Sequence, residues 1–247
     1  MPSTPHAIGS SGWLHLAVFG VVLPWLATRS ARALPSVSQR PRKGHFRSVL
    51  VVQGVALLIS LRVAAVEGIA LFPRTVPPPL ALGLGAVMVV GCTVALRPRW
   101  REAVARREPR VHFVMPRDAG ERRLWAGVSL AAAVSEEVTY RGVMYALLLR
   151  LTHDPLTAAV ATAALFGAAH AVQGARGVLA IGAISLGLQG LVLLAGSLYV
   201  AMAVHLLYDL IAGFAYGRLG EELGYPVDGI PPRDAHGAGP EAGPASR

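Results

Sequence analysis

Seven apolar runs separated by short polar or proline-rich breaks organise the chain. They fall at about 13–27, 48–72, 80–96, 124–149, 156–172, 178–195 and 198–216. In most of them hydrophobic residues continue around the whole helical circumference instead of marking one stripe, the pattern of a helix surrounded by apolar material. Roughly 20 such residues cross the hydrocarbon core of a bilayer. The expected fold class is therefore all-α, a polytopic membrane bundle of about seven transmembrane helices. The first run is short and holds Pro24. Ala31-Arg32-Ala33 behind it resembles a small-residue cleavage site, but no Lys or Arg precedes the run, so a retained helix is expected rather than a signal peptide.

The breaks carry the topology. Arg29, Arg32, Arg40, Arg42, Lys43 and Arg47 crowd the first of them, and nine arginines crowd the segment 97–123. The proline-punctuated loop at 73–79 carries Arg74 alone. Basic residues gather on the cytoplasmic side, which places 28–47 and 97–123 inside and the N-terminus outside. The segment 97–123 is also suited to lie along anionic headgroups. After Arg218 the chain turns polar and then Gly- and Pro-rich, and 218–247 reads as a disordered cytoplasmic tail.

Composition agrees with the runs. Of 247 residues 53% are hydrophobic and 15% charged, with a mean hydropathy of +0.51, too little polar residue to coat a soluble globule. The net charge of +9 does not indicate a nucleic-acid partner, because the arginines lie between apolar runs and form no stripe interleaved with aromatics. The bilayer is the partner that the pattern implies. With Cys92 as its single cysteine the chain can form no internal disulfide.

Charge inside the runs marks the candidate chemistry, since an ionisable group near the middle of a membrane helix is costly and normally serves a task. The fourth run holds Glu136, Glu137 and Arg141. Glu137 and Arg141 stand four apart with the acid first, the favourable order for a pair, and Glu136 is turned about 100° away. His170 closes the fifth run, and His205 and Asp209 share one face of the seventh. On alternating helices these groups converge in depth. A desolvated carboxylate beside an imidazole suits a general base for water, and a second imidazole suits an oxyanion. The same set, Glu136, His170, His205 and Asp209, also suits zinc. Arg62 and Glu67, in the second run, are expected to pair with other helices.

In order along the chain, Glu136-Glu137-x-x-x-Arg141, Phe166-x-x-x-His170, the return Gly196-Ser197-Leu198 and His205-x-x-x-Asp209 resemble the motifs of the CPBP family of intramembrane proteases. That family includes CAAX-prenyl endopeptidases of the Rce1 type and the bacterial Abi and bacteriocin-processing proteins. The resemblance implies a protease core over 124–217, preceded by N-terminal helices and basic loops over 1–123. It further implies Glu136 as the base that activates water, His170 assisting, His205 as oxyanion partner, and Glu137, Arg141 and Phe166 in support. The substrate would be a membrane-associated peptide or protein of CAAX or leader type. The setting would be a bacterial-type inner membrane with the site opening to the cytoplasm. Members are often labelled metalloproteases, and zinc is the metal alternative to a metal-free, glutamate-activated water. The position usually held by asparagine is Asp209 here, which would be protonated, orient His205 or ligate a metal. A proton- or cation-coupled transporter and a silent scaffold are the competing readings.

Overall fold

The computed structural model describes residues 7–37 and 41–227. Seven helical rods carry them: α1 (10–37), α2 (Arg42–Glu67), α3 (Pro79–Ala105), α4 (119–152), α5 (Pro155–Ala169), α6 (Gly174–Ala195) and α7 (Tyr199–Glu222), with no strand among the described residues. Local chemistry fixes their ends. Asp118 caps α4 by accepting from Glu121 N at 2.8 Å, and Asp154 caps α5 by accepting from Thr157 N at 2.7 Å, with Pro155 in the first turn. Gly196 closes α6 at φ +64°, a left-handed turn open to glycine without strain, and so makes the tight return that the sequence predicts before α7.

Five segments are long and apolar enough to cross a membrane: Ser10–Arg32, Arg42–Glu67, Pro79–Ala105, Ala171–Ala195 and Tyr199–Glu222. Their outer faces stay apolar, with Leu58, Val87 and Leu179 all more than 65% exposed. An apolar surface this extensive belongs in lipid, and the chain is an integral, multi-pass membrane protein. α4 is absent from the five because of its charges, and it occupies the centre of the bundle. It packs against α2, α5, α6 and α7, and Val138, Val143, Met144 and Leu147 are each fully buried. Its polar groups are thereby kept from lipid.

α5 has only 15 residues, about 22 Å of helix at 1.5 Å per residue against a hydrocarbon core of about 30 Å. The run predicted to continue to 172 stops at Ala169 and turns at His170. A close backbone crossing sets α5 against α6. A Cβ on Gly167 would stand 2.7 Å from Val178 O and 3.4 Å from Gly182 Cα, so small residues at this crossing are required.

The basic segment 97–123 is less of a loop than the charge pattern predicts. α3 continues to Ala105, a 3-10 turn covers Pro109–Val114, and α4 starts at Ala119. Arg42 sits buried at its base, 3.0 Å from Glu121 Oε2 and donating to Val227 O at 2.7 Å. The tail expectation is corrected over 218–227. α7 runs to Glu222, and Tyr225 is 2% exposed with its hydroxyl on Glu108 O at 3.0 Å. Leu219, Leu223 and Tyr225 pack into an apolar cluster with Trp100 and Met115, which outweighs the polarity of their neighbours. Residues 228–247 lie outside the described residues. Of the two charges in α2, Glu67 pairs as expected, with Ser11, Gly12 and Arg150 at 2.8, 2.9 and 3.2 Å. Arg62 is exposed instead.

Candidate active site

Where α4 passes the middle of the bundle it changes gauge: Glu137–Met144 is π-helical, with every residue but Gly142 buried. Such π segments are rare and concentrate at functional sites. The change begins between the two carboxylates. Glu136 ends the α-helical part and Glu137 begins the π part, and both meet His205 from α7. His205 Nδ1 lies 2.8 Å from Glu137 Oε1, and its Nε2 lies 3.8 Å from Glu136 Oε2 and 3.6 Å from Asp209 Oδ2. Helical spacing turned Glu136 and Glu137 apart. One imidazole reaches both because its two nitrogens face different directions.

Glu136 Oε2 also faces His170 Nε2 at 3.9 Å. The other nitrogen of that ring, Nδ1, is 2.9 Å from Phe166 O. A carbonyl only accepts, so Nδ1 carries the proton and Nε2 points its lone pair toward Glu136. The separations of 3.8 and 3.9 Å are too long for direct hydrogen bonds. They are the span bridged by one shared water at about 2.8 Å from each atom.

Behind this group Glu137 and Arg141 pair at 3.2 Å with both side chains fully buried. The contact is an ion pair without hydrogen-bond alignment: Glu137 Oε2 and all three guanidinium nitrogens of Arg141 lack a hydrogen-bond partner. Phe166 compensates in part, with the guanidinium carbon 4.1 Å from its ring centroid. The same ring takes Tyr140 edge-on at 4.9 Å and His170 at 4.5 Å. Phe166 is thus the surface on which the supporting pair and His170 are both set.

All four expected site residues, Glu136, His170, His205 and Asp209, line one cavity of about 910 Å³. Its deeper wall is apolar, with Met88, Val89, Ile184, Leu188 and Val204, and its exposed rim includes Arg99, Arg106 and Arg176. The cavity therefore opens between the ends of α3 and α6 on the arginine-rich side.

Two further polar contacts escaped the sequence reading. Gln53 of α2 donates its amide to Glu136 Oε1 at 2.6 Å, and Trp125 Nε1 donates to Asp209 O at 3.0 Å. Gln53 left one signal, an uncharged amide inside an apolar run, which charge-seeking passes over. Trp125 left none, since its bond is to a backbone carbonyl.

Zinc takes His nitrogen and carboxylate oxygen, and Glu136, His170, His205 and Asp209 supply those atom types. Their arrangement does not fit a ready metal centre. Among the described residues no three His, Cys, Asp or Glu side chains are gathered as a metal-holding group.

Residues 120–211 match the family described as type II CAAX prenyl endopeptidase Rce1-like. No curated protein and no solved structure matches the chain. The matched stretch runs from the start of α4 into α7, contains every residue of the three motifs, and leaves α1 to α3 outside. That stretch, carrying Glu136 and Glu137 of α4 and the two histidines that face Glu136, is similar to the Rce1-like family of type II CAAX prenyl endopeptidases.

Proposed function

We propose that the protein is an intramembrane endopeptidase in which Glu136 activates a water molecule against a peptide carbonyl. The observation that carries the reading is the placement of one carboxylate oxygen, Glu136 Oε2, 3.9 Å from His170 Nε2 and 3.8 Å from His205 Nε2 on the wall of a single cavity. Water held between Glu136 and His170 donates one hydrogen to each and keeps its lone pairs free. As oxygen attacks the carbonyl carbon, Glu136 takes the proton. The carbonyl π pair moves to oxygen, and the oxyanion meets His205, which Glu137 holds at Nδ1. A ring protonated on both nitrogens donates from Nε2 to that oxyanion, with the carboxylates of Glu137 and Asp209 beside the ring. Collapse of the tetrahedral adduct breaks the C–N bond, and Glu136 returns its proton to the leaving amine. General acid–base transfer of this kind supplies about 10²–10⁴-fold, and one oxyanion donor about 10²–10³-fold.

The substrate class is a membrane-associated peptide or protein of CAAX or leader type. It enters from the arginine-rich side, which is cytoplasmic by the distribution of basic residues, in a cell membrane of bacterial type. The apolar wall of Met88, Ile184 and Leu188 suits a lipidated or hydrophobic segment, and the rim suits its aqueous end. Asp209 takes the place of an asparagine as an orienting group beside His205 Nε2.

The test compares membrane-associated peptides and proteins of wild-type and Glu136→Gln cells by mass spectrometry. At least one trimmed species is expected to persist untrimmed in the variant. Identical trimming in both strains refutes the reading. On the purified protein, Asp209→Asn is expected to retain at least half of the activity, with bound metal measured on the same samples. Parallel loss of zinc and activity in that variant refutes the metal-free route.

A further inference from the structure

Helix α2 lies outside the stretch that carries the family likeness, yet it reaches the reactive carboxylate. α2 and α4 form the most extensive helix contact in the bundle, and two polar side chains of α2 sit within it. Ser60 Oγ lies 2.8 Å from Thr139 Oγ1, and Gln53 donates to Glu136 Oε1 at 2.6 Å. Gln53 and Ser60 are seven residues apart, two helical turns, so both lie on the stripe that also buries Phe46. Packing alone would favour apolar residues there, and hydrogen bonds between membrane helices add little stability. The amide therefore asks for another explanation.

We propose that Gln53 is a positioning residue for the hydrolysis, selecting which oxygen of Glu136 works as the base. This rests on the reading that Glu136 activates water. The terminal torsion of a glutamate is broad and roughly two-fold, so an unrestrained carboxylate would present either oxygen, at a range of angles, to the cavity. Gln53 occupies Oε1. Oε2 is left as the oxygen facing His170 Nε2 at 3.9 Å and His205 Nε2 at 3.8 Å. Both histidines are fixed from behind, His170 by Phe166 O and His205 by Glu137. Gln53 completes the set by fixing the carboxylate between them. An amide suits the task because it donates without bringing a charge or a titrating proton near the base. A misplacement of about 1 Å in such a group costs on the order of 10²-fold in rate.

The experiment uses the full-length protein in liposomes with a farnesylated CAAX peptide as probe. Variants are Gln53→Met, similar in length without the donor, Gln53→Asn, one methylene shorter, and Ser60→Ala, which removes a hydrogen bond between the same helices away from the carboxylate. Gln53→Met is expected to lower kcat 10- to 100-fold with KM within twofold of wild type. Gln53→Asn should fall between Gln53→Met and wild type, and Ser60→Ala should stay within twofold. In parallel, the infrared carboxylate band that disappears in Glu136→Gln is expected to shift in Gln53→Met and hold its position in Ser60→Ala. A Gln53→Met enzyme with kcat within twofold of wild type overturns the proposal. So does a loss in KM alone, or a loss shared equally by Ser60→Ala. Wild-type protein that leaves the probe intact counts against the functional reading, and the carboxylate band then decides the Gln53 assignment alone: an unshifted band overturns it.

Discussion

Replacing Arg141 by methionine isolates the energetics beneath the site. The substitution keeps most of the side-chain volume and removes a cation whose side chain is fully buried. Glu137 is left at the same depth with His205 Nδ1 at 2.8 Å and, its other oxygen already lacking a hydrogen bond, nothing in place of the guanidinium. Breaking a buried pair from one side costs about 3–5 kcal/mol, because the remaining charge keeps its desolvation penalty. Loss of the guanidinium over the Phe166 ring at 4.1 Å adds up to about 2 kcal/mol at a desolvated site, and the thioether, which also favours aromatic contact, returns about 1 kcal/mol. The expected loss is about 4–6 kcal/mol. In the double variant Glu137→Gln/Arg141→Met the desolvated carboxylate is removed together with its guanidinium, and the loss should fall to less than half of that value. Reversible unfolding in mixed detergent micelles, followed by tryptophan fluorescence, gives all three numbers. Arg141→Met within 1 kcal/mol of wild type, or a double variant less stable than the single one, would refute the argument that the pair is held together by mutual neutralisation.

Two further outcomes follow from contacts around the site. A Cβ on Gly213 would run into the indole ring of Trp125, which anchors Asp209 O; Gly213→Ala should therefore displace the ring and lower kcat/KM at least tenfold, while Gly190→Ala, where the added methyl meets open space, should leave it unchanged. Peptide cleavage by the two purified variants decides this, and equal activity would refute it. At the start of α4 the Lys43 ammonium, followed by the Glu121 backbone amide, holds the Asp118 carboxyl below the usual carboxylate range. A lowered folded-state pKa stabilises above the unfolded pKa of about 3.9 and ceases to do so as pH falls through the folded value. The difference in thermal midpoint between wild type and Asp118→Asn should thus be constant above about pH 5 and shrink below about pH 4; a gap unchanged at pH 3 counts against the pairing.

The helices are legible because apolar runs announce themselves, and the candidate site because charges inside such runs are few. Glu136, His170, His205 and Asp209 do line one cavity. What stayed hidden has a common cause. No residue type in Glu137–Met144 demands the π gauge that the segment adopts. The apolar Ala171 and Val172 predict a longer α5, while the chain bends at His170. Gln53 carries no charge to mark it, and the docking of 219–225 is masked because three apolar residues sit among polar ones.

The contact between Arg42 and Val227 O spans 185 residues, and that separation bears on the order of assembly. Arg42 is made before Glu121, and Glu121 can reach it before α7 is made, at about 5–20 residues per second. Until α7 has entered the bundle and the segment behind it has turned back, the Arg42 guanidinium lacks one of its acceptors and the apolar cluster around Trp100 lacks Leu219 and Tyr225. The cavity wall formed by Trp100, Val111 and Tyr208 is therefore completed by the last part of the described chain. His205 and Asp209 arrive on that same helix, so the carboxylate of Glu136 waits in an unfinished bundle, without its partners from α7, while residues 137–204 are made.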